Sequence, residues 1–243
     1  MAVKPGPAWG RWTLPPLAVV IPAYQEATRL PGLLAQLAQA PQLVGEVVVV
    51  DAGSDDATAL VARLAGAMVL RSEANRGQQL ALGVAASAAP WLLLLHADAR
   101  LPAGWATALA EAMAAGDRQA WAFRLAIDGG DPLLRLVEAA VWLRCRWRQL
   151  PYGDQGLLLS RRQLAAVGGI RPLPLMEDLD LVQRLRRQVP IRLLPLALRV
   201  DGRRWRRLGV LGTSWRNWRL RRSWRRGVPA PILAELYRGG PQG

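Results

Sequence analysis

Short apolar runs alternate with stretches of helical periodicity along the first hundred positions. LAVVIPAY (17–24), EVVVVDAG (46–53), AMVLRS (67–72) and WLLLLHAD (91–98) read as strands. Between them, ATRLPGLLAQLAQA (27–40), DDATALVARLAG (55–66) and RGQQLALGVAASA (76–88) read as helices. Ser54 is the expected N-cap of the second helix, with Asp55 and Asp56 in its first turn, where the helix dipole favours acids. Strands that are apolar on both faces and separated by helices predict an α/β fold, with a mostly parallel central sheet flanked by helices. In such a sheet ligands bind outside the carboxyl ends of the strands. Tyr24, Glu26, Asp51 and Asp98 all fall at those ends.

The second half is less regular. AWAFRLAI (120–127) and GLLLS (156–160) read as strands, 131–148 as a helix with arginine on one face, and EDLDLVQRLRRQ (177–188) as a helix opening with acids. IRLLPLALRV (191–200) is expected at a sheet edge, because Pro195, which has no N–H to donate, interrupts it. From 203 onward the chain is basic and rich in Trp, and a helix is expected there too. No internal repeat and no long linker interrupts the pattern.

Composition narrows the class. Half of the 243 residues are apolar, enough for a sizeable core. Cys145 stands alone, so neither a disulfide framework nor a cysteine-based zinc site can form, which fits a reducing cytosol. The net charge of +14 is almost all arginine, since Lys4 is the only lysine. Part of that excess matches the coding bias of a GC-rich genome, and part suits an anionic partner. The segment MAVKPGPAWGRWTLPP has no apolar core of signal-peptide length and reads as a disordered lead-in. No apolar run approaches the ~20 residues that span a bilayer, so the expectation is a cytoplasmic protein, free or peripheral on the inner face of a membrane.

The motifs exclude several chemistries. The first strand is not followed by G-x-G-x-x-G, the chain contains no phosphate-binding G-x-x-x-x-G-K-[ST], and His96, the one histidine, has no Ser or Cys partner at a recognisable spacing. What the chain does contain, in order, is VVIPAYQEATRLPGLLAQL, VVVVDAGSDDAT, NRGQQLALGVAAS, LLLLHADARLPAGW, YGDQGLLLSRRQLAAVGGI and LMEDLDLVQRLRR. This succession resembles glycosyltransferase family 2, and most closely a small, single-domain bacterial branch of it with His-Ala-Asp in its metal motif. The resemblance covers roughly residues 17 to 238, and the carboxyl segment RRWRRLGVLGTSWRNW shares it.

The resemblance implies a GT-A fold. Residues 1–16 would be the lead-in, 17–115 the nucleotide-sugar-binding half, 116–202 the acceptor-binding half of the same domain, and 203–243 a basic, Trp-rich helical segment. It also assigns roles. Pro22, Tyr24 and Glu26 would wrap the base and ribose of a nucleoside diphosphate sugar, although Glu26 could equally cap the next helix. Asp51 would contact the nucleoside, in a turn that includes Gly53. Arg76 sits where a cation and free backbone N–H groups can meet a phosphate at a helix start, and Gly77 removes side-chain bulk there. His96 and Asp98 stand where the family has Asp-x-Asp. Positions i and i+2 of a strand point the same way, and two such groups would hold Mn²⁺ or Mg²⁺ against the diphosphate. Imidazole suits manganese better; alternatively His96 touches the ribose or orders the loop.

In the same way, Asp154 and Gln155 become candidates for sugar hydroxyls, and Glu177 and Asp178 the acidic pair, with Asp178 as general base. DGRRW (201–205) resembles the Q-x-x-R-W signature of processive members, but only Arg204 and Trp205 match, which favours a single transfer with Arg204 on the diphosphate. A single base with no nucleophilic carboxylate implies inversion at the anomeric carbon.

The tail admits three readings. Residues 203–226 hold ten arginines and four tryptophans, and Leu211, Trp215 and Trp218 follow at i, i+4 and i+7. That face either packs on the catalytic domain or meets an anionic membrane; nucleic acid is disfavoured by the catalytic carboxylates. The sequence thus predicts a metal-dependent, inverting glycosyltransferase moving one sugar to a hydroxyl acceptor, with lipid-linked acceptors among the candidates. The alternative is a non-catalytic module that binds a nucleotide sugar or anionic lipid on the same scaffold.

Overall fold

The structure, a computed structural model, describes residues 15–238. The expected lead-in therefore lies, except for Pro15 and Pro16, outside the described residues. Among those described, seven strands form one sheet in the order β3-β2-β1-β4-β6-β5-β7. The strands are β1 (Leu17–Ala23), β2 (Val44–Asp51), β3 (Met68–Arg71), β4 (Trp91–Leu94), β5 (Ala120–Ile127), β6 (Leu157–Ser160) and β7 (Ile191–Val200). The helices are α1 (Leu30–Leu37), α2 (Thr58–Leu64), α3 (Arg76–Ala85), α4 (Trp105–Ala114), α5 (Pro132–Arg148), α6 (Arg161–Ala166), α7 (Glu177–Leu185), α8 (Arg203–Arg225) and α9 (Ala230–Arg238).

Alternation along the strands builds the core on both faces of the sheet. Leu17, Val19 and Ile21 of β1 and Leu93 of β4 point to one side, under Leu30, Leu33 and Leu37 of α1 and Leu109 of α4. Ala18 and Val20 with Leu92 and Leu94 point to the other, against Leu80 of α3, Leu181 and Leu185 of α7, Leu220 of α8 and Leu233 of α9. A smaller cluster of Leu125, Ile127, Leu134, Val200 and Val210 joins α5 and α8 to the far end of the sheet. Pro195 lies in the edge strand as expected, where the β5/β7 register slips between Ala122 and Arg124.

One strand breaks the parallel arrangement, and it matters for the site. β6 runs antiparallel to both β4 and β5, pairing Leu157 with Leu94. Its first residue is therefore beside the last residue of β4. The 3-10 turn Gly153–Gln155 that leads into β6 arrives at the carboxyl edge, which β1, β2 and β4 reach with their own ends.

Two boundary differences bear on the site. β4 stops at Leu94, and the following residues leave the sheet in a turn closed by Ala99 N–H donating to the His96 carbonyl (3.2 Å). His96 and Asp98 are therefore placed by a turn, not by the pleat of a strand. α2 starts at Thr58 rather than 55, and Ser54 does not cap it. The Ser54 hydroxyl and N–H instead donate to the Asp51 carboxylate (2.5 and 3.1 Å).

Candidate active site

The loops after β1 and β2 are stitched together by the polar run DAGSDDAT. Gln25 N–H donates to Ser54 Oγ (2.9 Å), Glu26 N–H to Thr58 Oγ1 (2.8 Å) and Ala27 N–H to Asp56 Oδ2 (3.1 Å). These bonds hold Gln25 in a left-handed conformation (φ 56°) that a non-glycine residue rarely adopts unaided. From α3, the buried Gln79 amide donates to the carbonyls of Ala23 (3.2 Å) and Val50 (2.7 Å), tying together the ends of β1 and β2. A rigid lip results. It forms one wall of a cavity of about 250 Å³ lined by Pro22, Tyr24, Glu26, Arg76, His96 and Asp98.

The cleft continues past Arg76 and His96 into a second cavity of about 130 Å³, lined by Asp154, Glu177, Asp178, Asn217, Arg221 and Tyr237. Here the start of α7 meets the 3-10 turn. Gly153 N–H donates to Asp178 Oδ2 (2.7 Å). A methyl group built on Gly153 would lie 2.8 Å from His96 Nε2 and 3.3 Å from Asp178 Oδ2, so imidazole and carboxylate converge on the space this glycine leaves open. Glu177 is 2% exposed, and its Oε1 lies 3.5 Å from Arg76 Nη1 without a directed hydrogen bond. Burial, partly offset by Arg76 and reinforced by Asp178, pushes the Glu177 carboxyl up to about 7.

Most of the residues picked out from the sequence gather along this cleft: Pro22, Tyr24, Glu26, Arg76, His96, Asp98, Asp154, Glu177 and Asp178 line it. Glu26 neither caps α1 with its side chain nor stands free; it pairs with Arg203 (2.6 Å) and Arg29 (3.4 Å). Asp51 is buried at the end of β2, held by Ser54, and Gly53 makes the left-handed turn beside it (φ 78°).

Two of the expected roles need correction. Gln155 is fully buried and lines neither cavity: its amide donates to the Phe123 carbonyl (2.9 Å) and accepts from Arg144 (3.2 Å) and Tyr152 N–H (3.3 Å), so it braces the turn rather than facing a sugar. Gly77 does not offer a free N–H to phosphate, because it donates to the Leu173 carbonyl (3.0 Å). The glycine is needed for close packing, since a Cβ there would lie 2.3 Å from the Arg171 carbonyl oxygen. Asn75 caps the same helix start by accepting from Gln78 N–H (3.1 Å). The side chain of Arg204 lies outside the described residues. Its neighbour Arg203 lines the cleft, and Asp201 anchors the start of α8 by accepting from Arg203 N–H (2.8 Å), Arg29 (2.8 Å) and Arg206 (2.9 Å).

Sequence reasoning missed Arg203, Asn217 and Arg221, which line the cleft. Their only sequence signal was membership of arginine-rich helices, which says nothing about which guanidinium turns inward. As for a metal, no three of the His, Cys, Asp and Glu residues among those described converge to hold one alone. Asp98 and His96 line one wall of the cleft beside Arg76, and Asp98 makes no hydrogen bond or ion pair among the described residues. A carboxylate and an imidazole, with other positions left to diphosphate oxygens and water, fit a divalent cation that bridges protein and nucleotide.

The family model for glycosyl transferase family 2 matches residues 18–169. Among solved structures, the chain is similar to glucosyl-3-phosphoglycerate synthase from Mycobacterium tuberculosis in complex with Mn²⁺, UDP and glucosyl-3-phosphoglycerate. The two are 21% identical over 82% of this chain and 77% of that one, with a TM-score of 0.59. The same enzyme with Mn²⁺, UDP-glucose and phosphoglyceric acid matches equally well (21%, 82% and 76%, 0.59), and another mycobacterial protein slightly less (20%, 82% and 70%, 0.58). The shared architecture is the GT-A fold. No curated protein matches the sequence.

Proposed function

Because the chain belongs to glycosyl transferase family 2, we propose that it moves one sugar from a nucleoside diphosphate donor to an acceptor hydroxyl, with inversion at the anomeric carbon and without polymerising. The observation that carries this reading is the meeting of Asp178 and His96 around Gly153, in a cleft shared with Arg76 and Asp98.

On this reading the lip of Pro22, Tyr24 and Glu26 receives the nucleoside, and residues 17–115 serve the donor while 116–202 serve the acceptor. Asp178 Oδ2, oriented by the Gly153 N–H, takes the proton from the acceptor hydroxyl. The acceptor oxygen bonds to the anomeric carbon as the bond to the diphosphate breaks, one displacement with one base. Arg76 lies where negative charge grows on the departing diphosphate. Mn²⁺ or Mg²⁺, held by Asp98 with His96, would add Lewis-acid neutralisation of that charge. Solved structures of the M. tuberculosis enzyme contain Mn²⁺ or Mg²⁺ with UDP, which supports that choice of ions. The reading carries a cytoplasmic location, with the basic helices at the inner face of a membrane. Among the described residues no helix is long and apolar enough to cross one.

The test is turnover of nucleoside diphosphate sugars with Mn²⁺. Asp178→Asn should cut it by about 10²–10⁴-fold, the usual worth of a positioned base, while UDP binding in the presence of Mn²⁺ persists. Undiminished turnover in that variant would refute the assignment. Binding without turnover in the parent protein would instead favour a non-catalytic module. The anomeric configuration of the product, read by NMR, decides inversion.

A further inference from the structure

The carboxylate of Asp178 is held by a turn, and the turn is held by two helices. Both carboxylate oxygens accept from backbone N–H groups: Oδ1 from Leu179 (2.6 Å), the next residue of α7, and Oδ2 from Gly153 (2.7 Å). Of these two bonds only the second comes from another segment, so the Gly153 N–H fixes the carboxylate relative to the opposite wall. That N–H belongs to a planar peptide unit whose other end is the Tyr152 carbonyl, and a planar unit has a single tilt. The Tyr152 carbonyl accepts from Gln155 N–H (3.0 Å), while Tyr152 N–H donates to Gln155 Oε1 (3.3 Å). Whatever holds Tyr152 and Gln155 therefore holds the donor to Asp178.

Two guanidinium groups hold the ring of Tyr152. That of Arg144, on α5, lies 3.7 Å from the ring centre, and that of Arg221, on α8, lies 5.2 Å from it. Both arginines are half-buried, where a cation over an aromatic face gains more than it does in water. They play different parts. Arg144 ties the ring to the turn, because it also donates to the Leu150 carbonyl (2.9 Å) and to Gln155 Oε1 (3.2 Å). Gln155 in turn donates to the Phe123 carbonyl of β5 (2.9 Å). Arg221 lines the cavity together with Tyr152, Asp154 and Asp178, and joins the ring to a helix almost seventy positions further along the chain. Asp154, on the same wall, offsets part of the repulsion between the two cations.

Packing alone does not require an aromatic residue here. Tyr152 borders the core formed by Leu80, Leu94, Leu157 and Leu181, and a leucine would meet the same apolar surface. A leucine would present no negative face to a guanidinium. We propose that Tyr152 is a positioning residue: gripped by Arg144 and Arg221, its ring fixes the peptide that aims Gly153 N–H at Asp178 and so keeps the base facing the acceptor hydroxyl. The inference rests on the glycosyltransferase reading, which makes Asp178 the base.

The experiment follows the Gly153 amide by hydrogen exchange in the isotope-labelled full chain, which reports the bond to Asp178 without any substrate. Tyr152→Leu should speed its exchange about tenfold, the scale of a lost cation–π contact, and Tyr152→Phe should leave it within about twofold of the parent. Arg221→Gln, which keeps the ring and the core in place, should speed it about threefold. Turnover of a nucleoside diphosphate sugar with Mn²⁺ should follow: kcat about tenfold lower in Tyr152→Leu and restored in Tyr152→Phe, with the donor KM within about twofold throughout. Parent-like Gly153 exchange in Tyr152→Leu or in Arg221→Gln would overturn the proposal. So would an equal acceleration at the amides of β6, which would mean a loosened fold rather than a misaimed peptide. Faster Gly153 exchange with an unchanged kcat would overturn the positioning role. A parent chain that turns over no sugar nucleotide would refute the glycosyltransferase reading itself, whereas an active parent whose variants exchange like it would refute the grip on Tyr152 alone.

Discussion

The lip of the cleft and the carboxyl-terminal helices treat polar side chains in opposite ways. At the lip, nearly every polar group is claimed by another part of the chain: Ser54 by Asp51 and Gln25, Asp56 by Ala27 and Thr58, Gln79 by two strand ends, Glu26 by Arg203. Along α8 beyond Arg206, arginines meet aromatic rings and a backbone carbonyl but no carboxylate among the described residues. Apolar residues diverge likewise, for β1 buries its side chains on both faces of the sheet while Leu211, Trp215 and Trp218 face solvent. Folding alone accounts for the first region, because buried polar groups must be paired. It leaves the second with exposed indole and unbalanced charge, which points to a partner outside the chain.

Substitutions can break or sharpen this contrast. The largest effect should come from Gly77→Ala, where a methyl group would lie 2.3 Å from the Arg171 carbonyl oxygen and 2.5 Å from Leu173 N. Backbone rather than a flexible side chain stands in the way, so a loss of about 3 kcal/mol or more is expected in urea unfolding. A loss under about 1 kcal/mol would show that the 171–173 segment yields.

Next comes pH. The folded-state pKa of Glu177, about 7, is above its ordinary 4.5, so the folded protein binds the proton more tightly than the unfolded chain. The resulting stability is fully present below about pH 4.5 and is lost as pH rises through about 7, a change on the order of 3 kcal/mol. Denaturation at about pH 5 and about pH 8 should show the parent losing more stability than Glu177→Gln over that interval. Parallel pH profiles would mean that the carboxyl is not desolvated.

A smaller effect is expected from Arg203→Ala, which removes one of two cations on the largely buried Glu26 and loosens the start of α8. A loss of about 1–2 kcal/mol is expected by thermal unfolding, together with weaker UDP binding. Smallest of all, Trp218→Ala should change stability by less than about 0.5 kcal/mol, because the side chain is half exposed and belongs to none of the core clusters among the described residues. A larger loss would show that the exposed face of α8 belongs to the fold after all and would erase the contrast.

Much of the architecture was legible in the sequence. Periodicity located all seven strands, and β5 and β7 begin and end where the pattern put them. Apolar alternation reports burial directly, since each residue's contribution to the core is largely its own. The order of motifs likewise carried the family, the cleft residues from Pro22 to Asp178 and the expectation of a divalent metal.

What only the tertiary structure decided are the facts that need two distant segments at once. The antiparallel insertion of β6 places Gly153 against Asp178, 25 positions further along the chain, and no local pattern encodes strand direction. Gln155 and Gly77 looked like ligand residues because a polar amide and a glycine in a loop have the same spelling whether they serve substrate or backbone. Their partners, Phe123 and Leu173, settled the matter. Arg203 and Arg221 were indistinguishable from their neighbours in an arginine-rich run until helix rotation turned them toward the cleft. The division has a physical cause: hydrophobic burial is a property of one residue and its period, whereas hydrogen bonds, ion pairs and steric fit are properties of pairs, and pairing is what the fold supplies.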